Sequence, residues 1–89
     1  MKVKAFVLIE TTPKQSRDIL PKLVSLNGVK SVDPVTGPYD IIATLECEEL
    51  NDIAELITTK IDRIEGVHRT VTCVAVRTGR YESQETLVL

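Results

Sequence analysis

The sequence predicts an α+β fold in which two helices cover one face of a four-stranded antiparallel sheet. The 89-residue chain alternates short runs of β-branched residues with two segments whose apolar residues recur at helical spacing. Its two halves also share a local pattern, because each contains a helical segment that ends in glycine followed by valine, at Gly28-Val29 and Gly66-Val67. A chain of this length has room for one domain, so we take residues 1–89 as a single domain.

The first half begins with a strand and a helix. Val3–Ile9 is an apolar run rich in β-branched residues and predicts a buried strand. Thr12 and Pro13 suit the cap and the first position of a helix, which Asn27-Gly28 ends. Pro21 lies inside this helix and removes one backbone donor, so it predicts a kink or a helix in two pieces.

A β-hairpin follows. The second strand runs from Val29 to about Val35, and Pro34 makes it an edge strand because only an edge can spare the lost donor. The turn Thr36-Gly37-Pro38 is so short that the third strand, Tyr39–Glu46, is expected to pair directly with the second.

The second half repeats the helix and the strand. The apolar stripe of the second helix has acidic residues toward its positive N-terminal end. The stripe consists of Ile53, Leu56, Ile57, Ile61 and Ile64. Val67–Val76 predicts the fourth strand, and Thr86–Leu89 predicts a short fifth strand. With right-handed crossovers, the order β-α-β-β-α-β becomes a ferredoxin-like sandwich with both helices on one face.

The face of the sheet without helices is predicted to be apolar. A sheet that is solvated on one side alternates apolar and polar residues, whereas these strands carry apolar residues at both parities. Strict alternation predicts a patch made of Phe6, Leu8, Ile42, Val74 and Val76. Such a patch normally marks an interface, so we expect a homodimer formed sheet against sheet. The alternative is a set of scattered surface apolar residues.

Composition excludes several classes of function. With a net charge of -2 and only three aromatic residues, direct nucleic-acid binding is not expected. The sequence has no secretory signal and no run approaching the ~20 apolar residues of a membrane span, so we expect a cytoplasmic protein. Cys47 and Cys73 are distant in the sequence and form no CxxC motif. We therefore expect two reduced, packed thiols, with no metal and no cofactor.

No residue pattern is typical of catalysis. The only histidine, His68, has no nucleophile or acid at a recognisable spacing, and neither a phosphate-binding glycine loop nor a nucleophile elbow is present. We therefore expect no enzymatic activity. The alternative is a small dimeric α+β-barrel enzyme, which would require His68 to project into an enclosed cavity with a polar partner.

One connection combines a tight turn, a rigid proline, an aromatic ring and a carboxylate. Its residues are Thr36, Gly37, Pro38, Tyr39 and Asp40. The pattern fits a plain hairpin turn as well as a binding site. Thr70 and Thr72 share the parity of Val74, which predicts hydroxyls on the helix-free face, although threonines in strands are usually just good strand formers.

Two segments resemble the effector-binding (RAM) domain of Lrp/AsnC transcription regulators. In that family a Gly-x-Tyr/Phe-Asp turn joins the second and third strands, as Val-Thr-Gly-Pro-Tyr-Asp-Ile-Ile does at 35–42. A Gly-Val-x-x-Thr-x-Thr segment opens the fourth strand, as Gly-Val-His-Arg-Thr-Val-Thr does at 66–72. The resemblance extends from Val3 to the terminal Thr86–Leu89.

The resemblance implies a ligand and an assembly. Family members dimerise through their sheets, often assemble further as rings of dimers, and bind amino acids in clefts between dimers. It implies ligand-binding roles for Gly37, Tyr39, Asp40, Thr70 and Thr72. Backbone amides from Gly37 to Asp40 would meet the carboxylate of the amino acid, and the Asp40 side chain or nearby carbonyls would meet its ammonium.

The sequence also departs from the family pattern in one respect. Full-length members begin with a helix-turn-helix domain, whereas this sequence begins at the first strand of the effector domain. We therefore expect a stand-alone amino-acid sensor that acts indirectly on transcription or metabolism, either by co-assembling with full-length relatives or on behalf of another protein. A structural adaptor that assembles without a ligand is the second alternative.

Overall fold

The structure is a computed structural model and describes residues 2–13 and 16–76. Its elements in chain order are β1 (Val3–Thr11), α1 (Ser16–Val24), β2 (Val29–Pro34), β3 (Ile41–Cys47), α2 (Leu50–Leu56), a π-helical turn (Ile57–Ile61) and β4 (Val67–Val74). The predicted order of strands and helices is confirmed. The four strands form one antiparallel sheet in the order β2-β3-β1-β4. The predicted fifth strand lies outside the described residues.

The core lies between the two helices and one face of the sheet. Alternate residues of β1 and β3 are buried together with apolar residues of both helical segments, so the helices cover the same face, as predicted. The buried residues are Ala5, Val7, Ile9, Ile19, Leu23, Ile41, Ala43, Leu45, Ile53, Ile57 and Ile61. The opposite face of the sheet has no helix among the described residues.

The first helix differs from its predicted form at Pro21. Residues 14 and 15 lie outside the described residues, so the cap at Thr12 stays a prediction; the Thr12 amide donates to the Gly66 carbonyl at 2.9 Å, and its hydroxyl does so at 3.5 Å. The helix is continuous through Pro21, so the division into two pieces does not occur. An internal proline costs about 3 kcal/mol. Packing offsets this cost, because Ile19 and Leu23 on either side are completely buried and each contributes roughly 1.5–3 kcal/mol.

The second helix keeps its apolar stripe on the core by widening. At its start the Glu49 amide donates to Asp52 Oδ2 at 3.2 Å, so the acidic residues serve the helix N-terminus as predicted. From Ile57 the helix continues as a π-helical turn to Ile61. A π-helix turns through a smaller angle per residue than an α-helix does. Ile61, four residues after Ile57, therefore lies on the same side of the helix as Ile53 and Ile57.

β2 is an edge strand, as Pro34 predicts. It pairs with β3 as a hairpin, and an irregularity at Lys30 interrupts the register between Val29 and Ser31. Pro34 stands at the last pairing position, opposite Ile41, where the missing amide disturbs the ladder least.

β4 contains a bulge that reverses the predicted faces of most of this strand. Arg69 pairs with Glu10, but Val67 pairs with Thr11, so His68 is an extra residue on β4. Val67 packs against the core as predicted. Because side chains alternate with period two, one extra residue moves every later side chain to the other face.

The consequence is a correction to the predicted faces. Residues directly opposite each other in antiparallel strands point to the same side. Val74 lies opposite Ala5, Thr72 opposite Val7 and Thr70 opposite Ile9, so these three side chains point to the helix-covered side. The prediction that they lie on the helix-free face is wrong. Val76, also predicted there, is 79% exposed and lies beyond the end of β4.

The helix-free face nevertheless carries an apolar patch. Phe6, Leu8 and Ile42 lie on this face as predicted. Val71 lies opposite Leu8 and Cys73 opposite Phe6, so these residues take the places assigned to Val74 and Val76. We call the five residues the open-face patch: Phe6, Leu8, Ile42, Val71 and Cys73. Its role as a dimer interface remains a prediction. Among the described residues, no helix is long and apolar enough to cross a membrane.

Candidate functional site

The turn between β2 and β3 projects beyond the end of the sheet. The Val35 amide donates to the Asp40 carbonyl at 2.9 Å and closes the loop. Gly37 has φ +135°, a conformation that L side chains rarely adopt. A β-carbon at Gly37 would meet nothing within 4 Å. The turn therefore requires glycine for its backbone conformation and leaves open space above it.

Asp40 anchors this turn to the end of β1. Its amide donates to the Ile9 carbonyl at 2.9 Å. Its carboxylate oxygen Oδ2 accepts a hydrogen bond from the Thr11 amide at 2.8 Å and another from the Thr11 hydroxyl at 3.1 Å. The side chain is half-buried, so these bonds hold the carboxylate in one orientation at the end of the sheet.

The backbone donors of the turn differ from those that the sequence predicts. The Asp40 amide is already bonded to Ile9, and Pro38 has no N–H. The amides of Thr36, Gly37 and Tyr39 have no acceptor among the described residues. These amides and the adjoining Asp40 carboxylate are therefore the polar groups that the turn offers to a small molecule.

Thr70 and Thr72 lie apart from the turn. The Thr70 hydroxyl donates to Asp62 Oδ1 at 3.1 Å and ties β4 to the end of the second helix. Thr72 is exposed on the helix-covered side. Since β1 lies between β3 and β4, two strand spacings, or about 10 Å, separate β3 from β4. Within the described part of one chain, the turn and these threonines therefore lie on strands that are not neighbours.

His68 does not meet the requirement of the enzyme alternative. Its side chain is 64% exposed, and its Nε2 lies 3.6 Å from Glu10 Oε1. Glu10 Oε2 also lies 3.8 Å from Arg69 Nη2. As the bulge residue of β4, His68 sits on the surface beside a carboxylate and not in an enclosed cavity.

A shallow concavity of about 270 Å³ lies at the other end of β3. It is lined by Asn27, Cys47, Asp52, Glu55, Leu56, Thr59 and Lys60. Burial raises the pKa of the Cys47 thiol, and the nearby Asp52 carboxylate raises it further. Cys73 is exposed, so the prediction of two packed thiols is wrong for Cys73. Among the described residues, no three metal-ligating side chains cluster.

Sequence reasoning missed the contribution of Thr11. It interpreted Thr11-Thr12-Pro13 only as the end of a strand and the start of a helix. The two hydrogen bonds from Thr11 to Asp40 join residues that are 29 positions apart. Periodicity describes residues within one strand or helix, so it cannot predict a contact between residues so far apart in the sequence. The only local signal is a hydroxyl residue placed where an apolar strand ends.

Comparison with known proteins gives consistent results. Residues 4–84 match the family model described as the Lrp/AsnC ligand binding domain. The chain is 28% identical over 72 residues to an uncharacterised HTH-type transcriptional regulator of Pyrococcus furiosus, covering 81% of this chain and 49% of the regulator. This chain therefore spans about half the length of that regulator.

Solved structures show the same fold. A crystal structure of a protein from Thermus thermophilus matches with a TM-score of 0.83 and 32% identity, covering 89% of this chain and 99% of that one. A transcriptional regulator from Neisseria meningitidis, solved as a complex with L-Met, matches with a TM-score of 0.79 and covers 96% of this chain and 56% of that one. At 15% identity, the second match shows the fold alone.

Proposed function

Since this chain belongs to the Lrp/AsnC ligand-binding domain family, whose regulators act in transcription, we propose that it is an oligomeric module that senses an amino acid. It performs no catalysis. It acts on transcription or metabolism indirectly, without binding DNA itself. The net charge of -2 supports the last point, because a negatively charged protein is repelled by the phosphate backbone.

The exposed turn is the observation that carries this proposal. The amides of Thr36, Gly37 and Tyr39 are donors for a carboxylate, and the Asp40 carboxylate is an acceptor for an ammonium group. An α-amino acid presents both groups on neighbouring atoms. The Neisseria regulator of the same fold was solved with L-Met, which supports an amino acid as the class of ligand.

Association through the sheet completes the proposal. The open-face patch contains half-buried and exposed apolar side chains on a sheet face that carries no helix in the described part of the chain, where a partner would remove them from water. Charged residues flank it, with Lys4 beside Phe6 at one end and the Glu10–Arg69 pair at the other. We propose a two-fold sheet-to-sheet dimer and further assembly of dimers, which places the turn of one dimer and the threonines of another around the amino acid. Full-length relatives with the same face are candidate partners.

A thermal-shift screen with the twenty amino acids tests the ligand. An amino acid at a hundred times its Kd stabilises the folded state by about 2.7 kcal/mol, which raises Tm of a domain this small by roughly 10 °C or more. Asp40→Asn should abolish the shift, because the neutral amide loses the charge that faces the ammonium. Asp18→Asn, on the exposed side of α1, is the matched control and should keep it.

The same screen separates the proposal from the adaptor alternative. If none of the twenty amino acids changes Tm or the oligomeric state at millimolar concentration, the sensing function fails and an assembly module without a ligand remains. Light scattering measured on the same samples shows whether the assembly itself is present.

A further inference from the structure

The end of β1 is a junction between three separate parts of the chain. Three consecutive residues make the connections. Glu10 contacts His68 and Arg69 at the start of β4, Thr11 bonds to Asp40 of the turn, and Thr12 bonds to Gly66 after the second helix. Outside its own hairpin, the candidate ligand turn is hydrogen-bonded to Thr11 and Ile9 of β1.

Strand geometry explains why Thr11 reaches Asp40. Backbone groups of residues two apart on a strand point to the same neighbouring strand. The Ile9 carbonyl accepts from the Asp40 amide, so the Thr11 amide also points toward the β3 side. β3 begins only at Ile41, and the Asp40 carboxylate supplies the acceptor that a longer strand would have supplied.

The two hydrogen bonds go to the same carboxylate oxygen. Oδ2 of Asp40 accepts both from Thr11, whereas Oδ1 accepts none from the described residues. A carboxylate can accept on both oxygens. One oxygen is thus occupied within the fold, and the other keeps its acceptor capacity.

We propose that Thr11 is a positioning residue of the ligand site. By holding Oδ2, its hydroxyl and amide fix the Asp40 side chain so that Oδ1 meets the ammonium group of the amino acid. This inference rests on the proposed function. It adds a residue outside the turn and outside β4, and it makes recognition of the ammonium depend on the end of β1.

Thr11→Val tests the role of the hydroxyl. Valine keeps the β-branched shape and the backbone amide but removes the hydroxyl donor, so the Asp40 side chain loses one of its two restraints. Thr11→Ser keeps the hydroxyl and should bind like the wild type. Thr12→Val, which removes a neighbouring exposed hydroxyl bonded only to Gly66 at 3.5 Å, is the matched control.

The readout compares two probes by calorimetry. One is the amino acid that gives the largest thermal shift, and the other is the carboxylic acid with the same side chain but no ammonium group. Thr11→Val should raise the Kd of the amino acid by about tenfold, which corresponds to the contribution of one charge-assisted hydrogen bond. The Kd of the deaminated acid should stay unchanged. A merely structural role for Thr11 would weaken both probes equally.

The outcomes separate the two proposals. The positioning role is overturned, and the sensing function stands, in either of two cases. In the first, Thr11→Val binds the amino acid as tightly as the wild type does. In the second, Thr11→Val loses affinity for both probes by the same factor. If the wild type binds no amino acid, both are overturned. If valine prevents folding, as judged by circular dichroism, Thr11→Ala provides the same comparison without a branched side chain.

Discussion

Two valines on β4 provide a sharp test of how this protein associates. Val71 is 40% exposed and Val74 is 43% exposed, so the two sites match in residue type, strand and exposure. They lie on opposite faces because three positions separate them, and the bulge at His68 determines that Val71 is the one on the open face. Val71→Arg should dissociate a sheet-to-sheet dimer, whereas Val74→Arg should leave it intact.

The magnitude follows from the exposed area. Complete burial of a valine contributes about 1.5 kcal/mol, so covering the exposed 40% of Val71 contributes roughly 0.6 kcal/mol per copy. Both copies are covered in a two-fold dimer, which gives about 1.2 kcal/mol, or about eightfold in Kd. Arginine adds the cost of removing two guanidinium groups from water, several kcal/mol each. The Kd of the Val71→Arg dimer should therefore rise by roughly 100-fold or more.

Sedimentation velocity at micromolar concentration is the measurement, because a monomer of 9.9 kDa is well separated from its dimer. Circular dichroism should show that both variants remain folded, since both valines are exposed in one chain. Dissociation by Val74→Arg alone would refute the derived faces of β4. A wild type that sediments only as a monomer would refute the sheet-to-sheet dimer itself.

Three further predictions concern the core, the glycines and the thiols. Leu23→Ala should lower the free energy of unfolding by about 2–5 kcal/mol in urea titrations, because the side chain is completely buried; no loss would contradict the described core. Gly28→Ala should cost more than Gly37→Ala in the same assay. Both have positive φ, which costs about 1–2 kcal/mol for other residues, but only at Gly28 would the β-carbon also meet side-chain atoms at 3.0 and 3.2 Å; equal losses would argue against the close packing. In the Val71→Arg variant, whose open-face patch is not covered by a partner, iodoacetamide at pH 8 should alkylate Cys73 before Cys47, whose pKa is raised by burial so that less thiolate is present. Mass spectrometry of digested protein reads the order, and raising the pH should speed the reaction of Cys47; faster labelling of Cys47 at pH 8 would contradict its burial.

Much of the fold follows from local patterns. The apolar spacing of Ile53, Ile57 and Ile61 predicts the buried side of the second helix, and Pro34 predicts an edge strand. The turn at Thr36-Gly37-Pro38 also falls where the sequence places it, although β3 begins at Ile41 and not at Tyr39. In each case the signal and the structure lie within a few residues of each other, so propensity and periodicity suffice.

The errors arise where distant residues decide the outcome. Pro21 stays within a continuous helix because Ile19 and Leu23 pack against the sheet, a contribution that the local cost of proline does not include. Sequence reasoning also missed the hydrogen bond between Thr12 and Gly66, because the end of β1 meets the end of the second helix only in the folded chain.

The amino-acid sequence by itself determined the element order, the apolar nature of both sheet faces, the turn and the family resemblance. Only the tertiary structure decided which β4 side chains lie on which face, and which oxygen of Asp40 is engaged by Thr11. The physical reason is that alternation along a strand is a local property, whereas a bulge and a strand-end hydrogen bond are set by the partner strand. One extra residue at His68, dictated by pairing with β1, is enough to exchange Val74 for Val71 on the open face.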